Sequence, residues 1–454
     1  MSSSIPNILL IVIDCLRADR TFDPDRSAQT PNLNSLAEKG VLFSHLITAN
    51  SMTIPCMTTM FSGMYPAHHG VRAMVGARVS DEVPLMAEIL RENGYHTYAE
   101  ATGPLSPFYR LDRGFDQYSL RDGVKSPLLG EWGDDLLRRI HSGELQEPWF
   151  MYLHLWGVHR PRQILPEYNR PEYGQTEYDR AISSYDARLK ELFDAVDEDK
   201  TLLVVTGDHG EKIPETSLES RVELLKKSLS KETKGKKNTG LTRVRRQAIS
   251  AVRSGWVSAS RLLYRVGLFD SPLATITGHG YHVYDSLVRV PLVMAGGPLQ
   301  TKYKRVPDQV RQIDIMPTIL ELAGLENKTP ASIDGRSLVP LIYGEKWPEE
   351  PAFIETCQNS REPSHFYGVR FGGFKYAFDS SNPAVPQELY DLTADPNETK
   401  NLATTLPQKA DELRSLIEQH IQQNDTVAVS MNDEMSDAEM DDLAEHLRKL
   451  GYVE

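Results

Sequence analysis

Three features of the amino-acid sequence predict an α/β protein built on a largely parallel sheet. The first is the run NILLIVI, Asn7 to Ile13, which stops at an acid, Asp14. An apolar run this short and this rich in Ile and Val reads as a strand buried on both faces, as in parallel sheets. The second is TLLVVTGDHGE, Thr201 to Glu211, which repeats the design: apolar run, acid, then histidine. The third is the alternation of such runs with segments of helical spacing. Ligands in open α/β sheets bind just outside the carboxyl ends of the strands, so a carboxylate there faces a crevice and is placed to hold a metal.

The elements follow in chain order. TPNLNSLAEKGVLF (Thr30 to Phe43) gives a turn, a short amphipathic helix, a Gly stop and a second strand. Asn50 to Gly76 is dense in hydroxyls, Met and Gly, and Thr58 to Met64 within it reads as a buried helix ending near Gly63. Pro84 to Asn93 has the pattern of a surface helix, and a strand lies around Tyr95 to Ala99. PWFMYLHLWGVH (Pro148 to His159) is another buried strand, and Tyr178 to Val196 has helical apolar spacing. The core pattern resumes with GHGYHVYDSLVRVPLVM (Gly278 to Met294), followed by a helix over Asp314 to Gly324. From about Pro351, runs such as HFYGVRFGGFKYAF predict a small antiparallel sheet, with a helix near Gln408 to Gln422. Ser436 with Glu439 opens a last amphipathic helix to Leu450 through a capping box.

A chain of 454 residues accommodates one large domain and a smaller one. The expected division is an α/β domain over 1–350, carrying a basic helical insertion at 212–270, and a C-terminal unit over 351–454. That insertion holds 14 Lys and Arg against 5 Asp and Glu in a chain whose net charge is -13. Within 241–266 it places Val244, Ala248, Val252, Trp256, Ala259, Leu263 and Val266 on one helical face. Three roles fit such a helix: a lid over the site, peripheral contact with an anionic membrane, or a protein partner. The acidic balance excludes nucleic acid as a general partner. Three scattered cysteines make neither a disulfide framework nor a zinc-finger spacing. The opening MSSSIPN lacks the basic region of a signal peptide, so a cytoplasmic location is expected. Oligomeric state is not written in the sequence.

These strings resemble the sulfatase family of the alkaline phosphatase superfamily. The marks are NILLIVIDCLRAD, TPNLNSLAEKGVLF, TIPCMTTMFSGMYPAHHGV, TLLVVTGDHGE, YDSLVRVPLVM, DIMPTILELAG with DGRSL, and ELYDLTADPNETKNLA, in the family's order over nearly the whole chain outside the insertion. The resemblance implies an alkaline-phosphatase-like α/β/α sandwich with a smaller C-terminal α+β subdomain. It also implies departures. Where the family carries a Cys or Ser in a CxPxR-type motif converted to formylglycine, this chain has Thr53-Ile54-Pro55-Cys56-Met57. Its early acid pair is Asp14-Cys15, its later pair Asp208-His209, and the family's sulfate-gripping Lys and His fall at about Thr102 and Pro104.

On these grounds Asp14, Asp208 and His209 are expected to hold one divalent ion with Thr53 as fourth ligand. Mn or Zn suits that mixed donor set best, with Ca or Mg as further candidates. The same departures resemble phosphoryl-transferring relatives. The leading expectation is therefore a metal-dependent hydrolase of phosphate mono- or diesters that uses a metal-bound Thr53 nucleophile and no formylglycine. His159, in VHRP, matches a family HxP site and is expected to protonate a leaving group, and His279 to face the substrate. His282, Asn50 and Arg72 are expected to touch substrate, a small-molecule or lipid ester. His68, His69, Asp186 and Arg336 read as structural. Three alternatives stand: a phospho-alcohol head-group transferase at a membrane surface, a sulfuric ester hydrolase, and a catalytically silent binding protein.

Overall fold

The computed structural model describes residues 5–122, 127–213, 278–357, 365–383 and 385–431, with 433–434, 439 and 443. The basic segment 241–266 lies outside them, as do most of the expected insertion at 212–270 and most of the helix expected over 436–450.

The main strands are β1 (Asn7–Ile13), β2 (Val41–Ile47), β3 (Ala77–Arg78), β4 (His96–Thr102), β5 (Gln117–Arg121), β6 (Trp149–Leu155), β7 (Thr201–Gly207) and β8 (Arg289–Ala295), followed by the short β9 (Arg305–Val306) and β10 (Val310–Arg311). Among the described residues nine of these, all but β3, form one sheet in the order β10-β2-β8-β7-β1-β6-β4-β5, with β9 also on β2. β1 runs parallel to both β6 and β7, and β4 is parallel to β5 and β6; only β8 runs antiparallel to its neighbours β2 and β7. The expected α/β fold with a mostly parallel sheet is the fold observed.

Alternation along β1 shows why the sheet is central. Ile8, Leu10 and Val12 enter one buried apolar cluster, Leu9, Ile11 and Ile13 the opposite one. Both faces are covered. The short helices α1 (Ala18–Thr21) and α4 (Pro66–His69) aside, one face packs on helix α2 (Pro31–Lys39), α6 (Glu131–His141) and α7 (Glu177–Ala195); the other packs on α3 (Thr53–Ser62), α5 (Met86–Glu92) and the helix Ile315–Leu322. Each such fully buried aliphatic chain contributes roughly 1.5–3 kcal/mol of transfer free energy. α7 opens on a capping box in which Thr176 Oγ1 accepts from the N–H of Asp179 and the Asp179 carboxylate accepts from the N–H of Thr176. Asp186 accepts from the N–H groups of Asn32 (3.1 Å) and Leu33 (2.8 Å), holding the start of α2 against α7.

One boundary differs in a way that matters. The buried helix expected from Thr58 begins at Thr53, five residues earlier. Pro55 lies in its first turn, where a missing N–H costs nothing because no intrahelical acceptor is available there. α3 then stops at Gly63, whose φ of 67° suits glycine. The helix expected over Pro84 to Asn93 is Met86–Glu92 and is half-buried, with Met86, Ala87, Ile89 and Leu90 inside.

The C-terminal strands β11 (Ala352–Cys357), β12 (His365–Phe371), β13 (Phe374–Asp379) and β14 (Glu388–Asp391) form an antiparallel sheet in sequence order. Gly372 and Gly373, both at positive φ (61° and 76°), make the tight turn between β12 and β13. The helix Pro407–Met431 packs on this sheet through Ala410, Leu413 and Ile417. Among the described residues no helix is long and apolar enough to cross a membrane.

Candidate active site

Asp14 and Asp208 follow β1 and β7 at the carboxyl end of the sheet, and both are buried. The two strands are neighbours in a parallel register that pairs Ile13 with Gly207, so the two acids come side by side. The chain turns sharply after Asp14: Cys15 sits at φ 65°, and its N–H donates to Asp208 Oδ1 at 3.0 Å. The N–H of His209 donates to the same oxygen at 2.7 Å. Gln312 Nε2 donates to the Asp208 carbonyl at 3.0 Å and fixes the backbone behind it.

His209 is oriented by its own loop. Nδ1 lies 2.8 Å from the Gly210 carbonyl, which only accepts, so Nδ1 carries the proton. Nε2 is the nitrogen left to the cluster, and it points to Thr53 Oγ1 (3.2 Å), Asp208 Oδ2 (3.4 Å) and Asp14 Oδ1 (3.9 Å). Thr53 is the first residue of α3, at the positive end of the helix dipole. Metal–ligand bonds of about 2.0–2.2 Å put donors on one ion roughly 3–4 Å apart. The separations here match, and the donors are chemically suited to a divalent ion; Asp14, Asp208, His209 and Thr53 would hold it. All four expected ligands are brought together.

His159 and His279 lie beside this cluster, with Nε2 atoms 3.2 Å apart, and the His279 ring is 4.4 Å from that of His209. His159 Nδ1 donates to the Arg160 carbonyl at 2.7 Å. Burial pushes His159 down to about 3 and His279 likewise downward, so both rings are neutral at pH 7. Cys15 Sγ forms a compact triad with the two histidines, and burial, with the charges of Asp14, Glu211 and Asp208, pushes that thiol well up. Glu211 anchors the wall of the site by ion pairs to Arg160 (3.3 Å) and Arg162.

Three expected substrate contacts have partners within the chain. His282 stacks on Tyr284 with centroids 3.6 Å apart and faces Glu388 at 3.3 Å, inside the contact with the C-terminal sheet. The Arg72 guanidinium is held by both oxygens of Glu355 at 2.9 and 3.1 Å. Asn50 is buried and donates to the Arg72 carbonyl at 3.3 Å. The Arg72 and Asn50 groups are thus hydrogen-bonded within the chain, and the His282 ring faces a carboxylate of the C-terminal sheet. His154 was passed over as one more residue of an apolar strand, yet it is buried 3.9 Å from Asp208 Oδ2. The available signal was a histidine one residue from the end of a run otherwise made of Trp, Phe, Met, Tyr and Leu.

The chain matches the family model described as Sulfatase over residues 6–325, and the one described as N-sulphoglucosamine sulphohydrolase, C-terminal, over 279–426. It is similar to Arylsulfatase K of Rattus norvegicus, 22% identical over 89% of this chain and 76% of that protein. Choline-sulfatase of Rhizobium meliloti is 23% identical, over 89% and 83% of the two chains. Delta 4,5-hexuronate-2-O-sulfatase of Bacteroides thetaiotaomicron is 23% identical, over 88% and 84%. The fold is that of a 2-O GAG sulfatase of known structure, with a TM-score of 0.66 at 17% identity over 96% of each chain.

These matches overturn the expectation of a phosphoric ester hydrolase with a threonine nucleophile, since the relatives are named as sulfatases. The physical reason is that carboxylates and an imidazole around a cation polarise any tetrahedral oxyanion ester, so the departures at Cys15, Thr53 and His209 do not select phosphorus over sulfur. The expectation of no formylglycine falls with it, because the family it was set against is the one matched. Thr53 itself, with a methyl group beside its hydroxyl, does not fit conversion to an aldehyde. Cys56 does not reach the site either: its Sγ donates to the Asn50 carbonyl at 3.1 Å.

Proposed function

The chain belongs to the sulfatase family, and from that premise we propose that it hydrolyses sulfuric esters with a divalent metal held by Asp14, Asp208 and His209. The observation that carries the reading is the convergence of these three buried groups at the carboxyl ends of β1 and β7, beside the N-terminus of α3.

In the reaction the bond from sulfur to the leaving oxygen breaks and one from sulfur to the oxygen of water forms, giving an alcohol and sulfate. A bound divalent ion offsets the charge that builds on the non-bridging oxygens. The N-terminus of α3 adds the free N–H groups of its first turn, Pro55 excepted, to the same oxygens. His159 and His279 manage the proton. His159 Nε2 is the acceptor in its neutral tautomer, so His279 Nε2 holds the proton between them. Because burial keeps both rings neutral at rest, the pair accepts the proton of the attacking water, and the imidazolium so formed passes a proton to the leaving oxygen.

The test is a hydrolysis panel on the full chain, stripped of metal and reloaded. Nitrophenyl sulfate turnover should require a divalent ion and fall by at least about 100-fold in Asp208→Ala. Turnover indifferent to metal or to Asp208→Ala, or the absence of turnover with every ion tried, overturns the proposal.

A further inference from the structure

His154 stands where the metal reading leaves a place. The register pairs Val12 with His154 on one side of β1 and with Thr206 on the other. Alternate residues share a face, so Asp14, Asp208 and His154 come from three adjacent strands to the same side of the sheet. Their donor atoms lie within 4.8 Å of one another, all buried.

The tautomer follows from Thr102. Its Oγ1 lies 2.9 Å from the His154 carbonyl and 3.1 Å from His154 Nδ1. A carbonyl only accepts, so the single hydroxyl proton of Thr102 goes there, and Nδ1 must be the donor in the second contact. With Nδ1 the donor, Nε2 is the nitrogen left to bind an ion. Among the described residues no hydrogen bond reaches it, and it faces Asp208 Oδ2, itself a buried carboxylate oxygen without a hydrogen bond, at 3.9 Å. An imidazole nitrogen and a carboxylate oxygen so placed, neither with a hydrogen bond, are suited to share a cation.

We propose that His154 Nε2 is a ligand of the ion held by Asp14, Asp208 and His209, giving a site of two imidazoles and two carboxylates that prefers a first-row ion such as Mn or Zn to Ca. This rests on the metal reading above. Imidazole suits Mn and Zn, whereas Ca takes oxygen donors. Thr102 acts as a positioning residue, fixing which nitrogen is free.

The test counts ligands and does not depend on turnover. X-ray absorption of the zinc-loaded full chain should show two imidazoles, falling to one in His154→Ala and to one in His209→Ala. Chelator competition should show zinc affinity down roughly 10- to 100-fold in His154→Ala and about 10-fold in Thr102→Val, the latter keeping two imidazoles. Where His154→Ala does not fold, Thr102→Val carries the test, since a buried His154–Asp208 ion pair without coordination would leave zinc affinity unmoved. One imidazole in the unaltered protein, or an affinity indifferent to both substitutions, overturns the proposal. Two imidazoles without sulfate ester turnover would overturn the hydrolase reading and leave this one standing.

Discussion

His69 shows how a backbone group sets a side chain's chemistry. The N–H of Val71 donates to its Nδ1 at 3.1 Å, so the opposite nitrogen, Nε2, carries the proton and meets Thr59 Oγ1 at 3.1 Å. Protonation would turn Nδ1 into a donor facing a donor. Burial, helped by the charges of His68 and Arg72, pushes this ring down to about 3. Because the folded value lies below the unfolded one, the unfolded chain binds more protons in this range. The contribution of His69 is intact above pH 6.5 and is lost as pH falls towards 3, at about 1.4 kcal/mol per unit. His69→Gln keeps an acceptor for Val71 and a donor for Thr59 without a titrating group. Urea unfolding between pH 7.5 and 4.5 should therefore give a shallower decline for His69→Gln than for the unaltered chain; parallel curves would refute it. His209 follows the same logic with the opposite result, because a carbonyl rather than an N–H faces its Nδ1.

At the scale of elements, the loop after β7 is held by close approach. The N–H of Gly210 donates to the Leu287 carbonyl at 2.7 Å, and a Cβ on Gly210 would sit 2.2 Å from the Ser286 carbonyl oxygen. That oxygen is backbone and cannot swing away. Gly210→Ala should cost roughly 1–3 kcal/mol and shift the carbonyl that orients His209. Metal affinity should then fall along with stability, and an unchanged melting temperature and affinity would show that the loop tolerates the shift. The strands are legible because an apolar run ending in an acid is written in consecutive residues, and the same runs mark Asp14, Asp208 and His209, which the fold brings together. The start of α3 was misplaced because Pro55 reads as a break when it is taken without its position in the first turn. His154 was hidden for another reason: its alignment with Asp14 depends on a register between strands more than a hundred residues apart, and no local pattern records it. The pairing of Arg72 with Glu355 and the approach of His282 to Glu388 are not legible locally either, because the two acids come from the C-terminal sheet, far along the chain.

At the scale of the whole molecule, that sheet bears on the site through one buried cation. Lys375 on β13 is 1% exposed, donates to the Val283 carbonyl at 3.0 Å, and pairs with Glu398 at 2.7 Å and with Asp285. Asp285 opens the single turn Asp285–Val288, whose Leu287 carbonyl accepts from the N–H of Gly210 and whose Ser286 carbonyl leaves no room for a Cβ there. A chain of contacts thus runs from the C-terminal sheet to the loop that carries His209. Removing the cation leaves two acids buried together, although Arg370 at 3.5 Å and Arg289 at 3.9 Å still offset part of the charge on Asp285. A broken buried pair costs about 3–5 kcal/mol, and with that compensation Lys375→Met should lose roughly 3 kcal/mol. Lys409→Met, at a pair with the exposed Glu412, should stay within about 0.5 kcal/mol. If the contact chain transmits, Lys375→Met also weakens metal binding at a temperature where the protein is still folded, and Lys409→Met does not. A stability loss below about 1 kcal/mol would show the buried pair to be compensated. A full loss with unchanged metal affinity would show that the C-terminal sheet stabilises the molecule without shaping its site.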